Sequence, residues 1–393
     1  MITKKYRDML AQKSAIRELF DYGRARAAEV GADNVFDYSL GNPSVPVPRA
    51  FNEALARLAL SGRDIEVHGY SPSMGIPAVR EAIAASLKRR FVLDYRAEHI
   101  FLTTGAAGAL AHALRAVAAP GSEVVTVAPY FPEYGPYVAG AGCTLRVVPA
   151  QTADFQIDLA AMEAALSPKT AAVLLNSPNN PSGAIYSMET LVRLADMLEV
   201  KQREFGHAIY LISDEPYREI LFAGQECPSP ARFYANTLTC YSFSKSLSLA
   251  GERVGYLAVA EQVAEHDRLL AAIAGANRAL GYINVSSMFQ LVAAECVGKT
   301  ADLSIYEANR DYLYRSLTEL GYQCVRPDGA FYLFLKTPEG WHRRAMECDL
   351  LLVPGEEFSC PGYARLAYCV PMERLERAMP KFAALAEEFG LKK

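Results

Sequence analysis

The chain has 393 residues, 51% of them hydrophobic and 21% charged, which is too apolar for a disordered chain and too long for one small domain. Lysine plus arginine number 40 against 44 for aspartate plus glutamate; the formal charge of -4, with no block of like charges, argues against nucleic acid as the main partner. No apolar run approaches the roughly 18 to 20 residues that span a bilayer, so membrane insertion is not expected.

The first twenty residues, MITKKYRDMLAQKSAIRELF, are charged throughout and lack the apolar core and cleavage site of a secretory signal, which points to the cytoplasm. Residues 75–91 place Ile76, Val79, Ile83, Leu87 and Phe91 at helical spacing, with Arg and Lys opposite, and predict an amphipathic helix. Short apolar runs follow at 99–104, 123–128, 171–177, 208–213, 238–244 and 253–260. Their near-continuous apolar character predicts strands of a mostly parallel sheet covered by helices on both faces. From about residue 290 the pattern changes. A helical stretch passes Tyr312 and Leu317, Pro327-Asp328-Gly329 separates two strand-like runs as in a hairpin, LLLVPG precedes YARLAYCV, and an amphipathic helix runs from Met372 to Phe389. This region reads as a second, α+β domain.

Several common sites are excluded. The eight cysteines form no C-x-x-C pair and sit at no ligand spacing from a histidine, so neither a disulfide framework nor a metal site is expected. Val297-Gly298-Lys299-Thr300 ends like a phosphate-binding loop, but that motif's first glycine would fall on Ala293 in a helical stretch. Gly105-Ala106-Ala107-Gly108 opens a helix after a strand without being the dinucleotide fingerprint, which leaves a Rossmann dehydrogenase a weak competitor. There is no H-E-x-x-H and no G-x-S-x-G.

Three segments carry chemistry. In YSFSKSLSLAGERVGYL (241–257), Lys245 follows an apolar strand among Ser242, Ser244 and Ser246, with Arg253 eight residues on. A surface lysine is the plain alternative, but a lysine entering a buried loop between strands is costly unless it is neutralised or bonded covalently. In SDEPY (213–217), Asp214 and Tyr217 stand at the carboxyl end of a strand, where open α/β sheets bind ligands. NSPNNPSG (176–183) also follows a strand, although alone it would be an ordinary turn.

Together with SLGNP (39–43), HGYSPSMGIPAVREAIA (68–84), TTGAAGAL (103–110), PYFPEY (129–134) and YARLAY (363–368), these segments resemble, in order and over about residues 16 to 370, the fold type I pyridoxal-phosphate enzymes of the class I/II aminotransferase family. The resemblance implies an N-terminal arm with part of a small domain at 1–45. It also implies a large cofactor-binding α/β domain with a seven-stranded sheet at 46–285 and a small α+β domain at 286–393. Lys245 would bond pyridoxal 5'-phosphate and move the proton at the substrate Cα. Asp214 would pair with the pyridine nitrogen, Tyr217 and Asn180 would hydrogen-bond the phenolic oxygen, and Phe131 would stack on the ring. Backbone N–H groups of Gly105, Ala106 and Ala107, with Ser242, Ser244 and Arg253, would cradle the phosphate. Arg365 would fork onto the substrate carboxylate beside Gly41, Asn42 and Asn180. Tyr70 would reach the neighbouring subunit's phosphate, making a homodimer with shared sites.

The implied activity is amino transfer from an L-amino acid to a 2-oxo acid by a ping-pong mechanism through pyridoxamine phosphate. A pyridoxal-phosphate C–S β-lyase of the same fold is the alternative enzyme. A cofactor-binding regulator is the alternative from another class, disfavoured because no helix-turn-helix fits before SLGNP. Arg278 is a candidate for an anionic substrate side chain, against its reading as a helix-surface arginine.

Overall fold

The computed structural model describes residues 3 and 7 and residues 15–391 apart from 223; the rest of the start of the expected N-terminal arm lies outside the described residues. A helix, Ala15–Val30, leads into β1 (Phe36–Asp37). The large sheet is built from β2 (Ile100–Thr103), β3 (Glu123–Val127), β4 (Thr144–Val148), β5 (Thr170–Asn176), β6 (Tyr210–Asp214), β7 (Thr237–Ser242) and β8 (Gly255–Val259). Their order is β2-β8-β7-β6-β5-β3-β4, and only β8 runs against its neighbours. This is the mostly parallel seven-stranded sheet that the resemblance implies. Six strands match the apolar runs; β4 does not, because an edge strand with most side chains exposed needs no apolar run.

The helices cover both faces, as continuous burial of β2, β3, β7 and β8 requires. In the helix Pro77–Phe91, Val79, Ile83, Leu87 and Phe91 are buried, the stripe that the spacing predicts. Registers pair Asn176 with Asp214 and Asp214 with Cys240, so β5, β6 and β7 end side by side and open one crevice at their carboxyl ends.

The C-terminal region adds β9 (Gln323–Cys324), β10 (Tyr332–Lys336), β11 (Leu350–Leu351), β12 (Val353–Pro354) and β13 (Tyr363–Ala367). Strands β12, β13, β10 and β9 form an antiparallel sheet, and the predicted hairpin pairs Cys324 with Leu335. Its core gathers Trp341, Tyr322 and Phe382 under the helices Ser304–Glu319 and Met372–Glu388. Strand β1 pairs in parallel with β11, and Ala367 donates to the carbonyl of Tyr38, so residues 36–41 run from this layer toward the crevice. The helix Ser287–Glu295 buries Val292 and Ala293 with Phe51 and Leu58 of the helix Arg49–Ala59, which places it against the large layer. Ala293, the residue that spoils the phosphate-loop look-alike, lies inside it.

Candidate active site

Strand β7 ends at Ser242, whose Oγ accepts from the backbone N–H of Ser244 at 3.1 Å and caps a one-turn helix, Phe243–Ser246. Lys245 therefore rides on a helical turn, not on the loop its flanking serines suggested; the cap supplies the turn. Its Nζ donates to the carbonyl of Gly41 at 2.7 Å. Burial lowers the amine from 10.5 to about 8, because the charged form is the one that loses solvation.

At the end of β6, Asp214 is buried. The phenol of Tyr134 donates to its Oδ2 at 2.6 Å, while Oδ1 has no hydrogen-bond partner. Burial pushes this carboxyl up to about 7, against the pull of the Tyr134 hydrogen bond. Tyr217, three residues on, is buried and shares a 2.9 Å hydrogen bond with the hydroxyl of Tyr332.

The helix Gly105–Val117 starts at the same crevice, so the free N–H groups of its first turn point into it. Gly105 has φ +72°, and a Cβ there would stand 2.8 Å from Nη2 of Arg253. Gly255 serves a related close approach, since its Cβ would fall 2.8 Å from the backbone of Gly105. Arg253 reaches Ser244 Oγ at 3.4 Å and the carbonyls of Ala250 at 3.0 Å and Thr104 at 3.5 Å. The guanidinium thus brings positive charge beside two serines and a helix N-terminus.

Arg365, on β13, is buried. Its Nη1 donates to Asn180 Oδ1 at 3.0 Å, its Nη2 to the carbonyl of Ser39, and its Nε has no hydrogen-bond partner. The guanidinium lies 4.7 Å from the ring centroid of Tyr332 and 5.1 Å from that of Phe358. Burial lowers its pKa, which makes an anionic ligand at this fork favourable.

Lys245, Asp214, Tyr217, Asn180, Phe131, Ala106, Ala107, Ser242, Ser244, Arg253, Gly41 and Arg365 all line one cleft of about 1000 Å3, its open mouth included. Gly105 abuts that cleft through Arg253. Asn42 and Tyr70 do not line it: Asn42 is exposed, and Tyr70 is 98% exposed on the loop before the helix Pro77–Phe91. Arg278 is exposed near the end of the helix His266–Leu280, also outside the cleft. Sequence reasoning assigned no role to Tyr134, Tyr332, Ser39, Leu40 or Ile16. Tyr134 stands in the quoted PYFPEY segment, but its partner lies 80 residues away.

The sequence signature of the family Aminotransferase class I and II matches residues 33–382. The chain belongs to the class I and II aminotransferases. The aspartate aminotransferase of Thermotoga maritima is 32% identical over 368 residues, covering 91% of this chain and 93% of that protein. The aspartate/prephenate aminotransferase of Thermus thermophilus is 32% identical over 366 residues, covering 87% and 89%. Among solved structures, an amino transferase from Eubacterium rectale superposes with a TM-score of 0.96 at 44% identity and 99% coverage of both chains. The Thermus thermophilus aspartate aminotransferase with maleate gives 0.86 at 28% identity, covering 98% of this chain and 99% of that one.

Class I and II aminotransferases of this fold are pyridoxal-phosphate enzymes, and the residues of this aminotransferase fit that cofactor. The orphaned, buried Oδ1 of Asp214 suits a protonated ring nitrogen, and Lys245 offers an amine close to neutrality. The helix N-terminus with Ser242, Ser244 and Arg253 suits a phosphate dianion. Among the described residues no group of side chains could hold a metal ion, and no helix is long and apolar enough to cross a membrane.

Proposed function

We propose that this aminotransferase takes the α-amino group of an L-amino acid and passes it to a 2-oxo acid in two half-reactions at the described cleft, with pyridoxal 5'-phosphate resident. The observation that carries the reading is that one cleft holds Lys245 together with two buried, unpartnered polar atoms of opposite charge, Oδ1 of Asp214 and Nε of Arg365. Bound there, pyridoxal phosphate supplies the electron sink for charge developing at the substrate Cα and stores the amino group between half-reactions. Asp214 holds the ring nitrogen, Tyr217 and Asn180 the phenolic oxygen, Phe131 the ring face, and Ser242, Ser244, Arg253 and the helix start the phosphate. Arg365 fixes the substrate α-carboxylate, which orients the amine toward Lys245. Lys245, half neutral near pH 8, is the base that takes the proton from Cα. The names of the relatives support amino transfer.

The proposal includes a homodimer in which Tyr70 serves the neighbouring site. It also divides the chain into arm, large and small domains, with the first boundary near residue 45 and the second after the helix Ser287–Glu295, which packs on Phe51 and Leu58 of the large layer, and not near 286 as the sequence alone suggests.

A single-turnover titration tests the chemistry. An amino acid added to the holoenzyme without a 2-oxo acid is expected to convert the bound cofactor's absorbance, one equivalent per site, to that of the pyridoxamine form. Pyruvate released catalytically from cystathionine without that conversion would replace this reading with a C–S β-lyase.

A further inference from the structure

We propose that Tyr332 is a positioning residue for Tyr217: its hydroxyl donates to Tyr217, and this turns the Tyr217 proton toward the phenolic oxygen of the cofactor. The inference rests on the reading above that pyridoxal phosphate resides in the cleft. Tyr332 arrives from the C-terminal sheet. Ladder pairing sets Tyr332 opposite Ala367 and Phe334 opposite Arg365, so Tyr332 and Arg365 are diagonal neighbours on one face of that sheet. The guanidinium accordingly stacks on the Tyr332 ring. The hydroxyl of that ring reaches across to the large layer and meets Tyr217 at 2.9 Å. A Cβ on residue 41 would overlap this hydroxyl, so Gly41 leaves it room. Phe331 and Tyr332 both lie T-shaped to the Tyr217 ring, with centroids 5.5 and 5.6 Å away, and hold its plane.

Counting protons gives the direction. Tyr217 and Tyr332 are 5% and 2% exposed, and among the described residues the only hydrogen-bond partner of each hydroxyl is the other. Burial keeps both phenols protonated: that of Tyr332 is pushed up to about 12, and that of Tyr217 is pushed up as well. Two hydroxyls joined by one bond place one proton between them and leave the other for a third group. When Tyr217 donates to Tyr332, its oxygen can only accept from that group; when Tyr332 donates, Tyr217 has its proton to give. An anionic phenolic oxygen only accepts. Tyr332 is therefore the donor, and the bonds run one way, from Tyr332 to Tyr217 to the phenolic oxygen, each polarising the next. The positive charge of Arg365, which opposes the effect of burial on Tyr332, favours donation by that hydroxyl.

Tyr332→Phe removes the hydroxyl and keeps the ring. A donor on the phenolic oxygen weakens that oxygen's hold on the proton of the Lys245 nitrogen joined to the cofactor, so loss of the Tyr332 hydroxyl should raise the pH midpoint at which the bound cofactor's visible absorbance changes. Spectrophotometric titration of the holoenzymes measures that midpoint. An upward shift of about 0.5 unit is expected for Tyr332→Phe, a larger one for Tyr217→Phe, and no further shift when Tyr332→Phe is added to Tyr217→Phe. Binding of butanoate, a carboxylate with no amine, is expected to change by less than about twofold in Tyr332→Phe, since the ring beneath Arg365 stays in place. A midpoint unmoved by Tyr332→Phe, or moved equally in the native and Tyr217→Phe backgrounds, would overturn the proposal. So would a shift accompanied by a loss of butanoate binding of roughly tenfold or more, which is the mark of a disturbed site. If the coupled shift appears while no amino acid converts the cofactor, the role of Tyr332 stands and the amino-transfer reading fails.

Discussion

The phenol of Tyr134 donates a 2.6 Å hydrogen bond to Oδ2 of Asp214, and the same carboxylate keeps Oδ1 free of any protein partner. One oxygen is held and the other presented, which fixes the direction in which Asp214 can receive a ring nitrogen. Tyr134→Phe removes a donor that favours the ionised carboxylate, so the Asp214 pKa should rise further above about 7. Cofactor affinity at pH 7 is then expected to fall about tenfold and to recover as pH rises and the carboxylate ionises. Equilibrium titration of the apoprotein with pyridoxal phosphate across pH 6 to 9 measures both.

The same carboxyl makes the apoprotein's stability depend on pH. Its folded pKa of about 7 lies above the ordinary 3.8, so its stabilising contribution is complete below 3.8 and lost as pH rises through 7. Asp214→Asn apoprotein should therefore be more stable than native apoprotein at pH 8, by up to about 4 kcal/mol, with the difference vanishing toward pH 4. Thermal melts of the two apoproteins at several pH values give the comparison.

Much of this architecture was legible in the sequence because it rests on local patterns. The buried strands are apolar runs, and Asp214 and the NSPNNPSG segment stand at strand ends, whereas the turn that carries Lys245, capped by Ser242, reads in sequence as a loop. What the sequence did not expose depends on distant pairings. Tyr217 meets Tyr332 115 residues away, and Arg365 meets Ser39 326 residues away, with no local signal at either end. Strand β4 escaped because its edge position relaxes the demand for apolar side chains. The helix Ser287–Glu295 looks continuous with the C-terminal region in sequence, but its apolar stripe finds Phe51 and Leu58.

Lys245 must be neutral to form a bond, and burial brings its amine to about 8. The rate at which pyridoxal phosphate attaches to the apoprotein should rise through pH 8 and level off well below the range of an exposed lysine. Stopped-flow absorbance at a series of pH values records that profile.

Arg365→Lys keeps the charge but loses the planar fork shared among Asn180, Ser39 and the substrate. KM for amino acid donors should rise about a hundredfold, the equivalent of roughly 2 to 3 kcal/mol of charge-assisted hydrogen bonding, with cofactor affinity unchanged. Steady-state kinetics beside cofactor titration distinguishes loss of substrate anchoring from disturbance of the whole site.

Tyr70 is held by its neighbours and not by its own ring: Ser287 donates to the carbonyl of Gly69 at 2.7 Å, and Asn284 to that of Ser71, while the phenol projects outward. In a dimer with shared sites, hybrids of Tyr70→Phe with Lys245→Ala should regain one complete site. Hybrids of the double variant with an intact subunit should leave the site holding Lys245 without a phenol, and it should bind cofactor weakly. Cofactor content of the two purified hybrids decides the matter, and equal content would end the shared-site account.

The most direct measurement follows the nitrogen itself. An amino acid labelled with 15N at its α-amine is incubated with unlabelled 2-oxoglutarate or pyruvate and the holoenzyme, and the products are resolved by mass spectrometry. The label is predicted to appear in the new amino acid in amounts matching the 2-oxo acid formed from the donor, with none transferred by Lys245→Ala. Label recovered as free ammonium, or transfer that persists in Lys245→Ala, would contradict the assignment of amino transfer to this cleft.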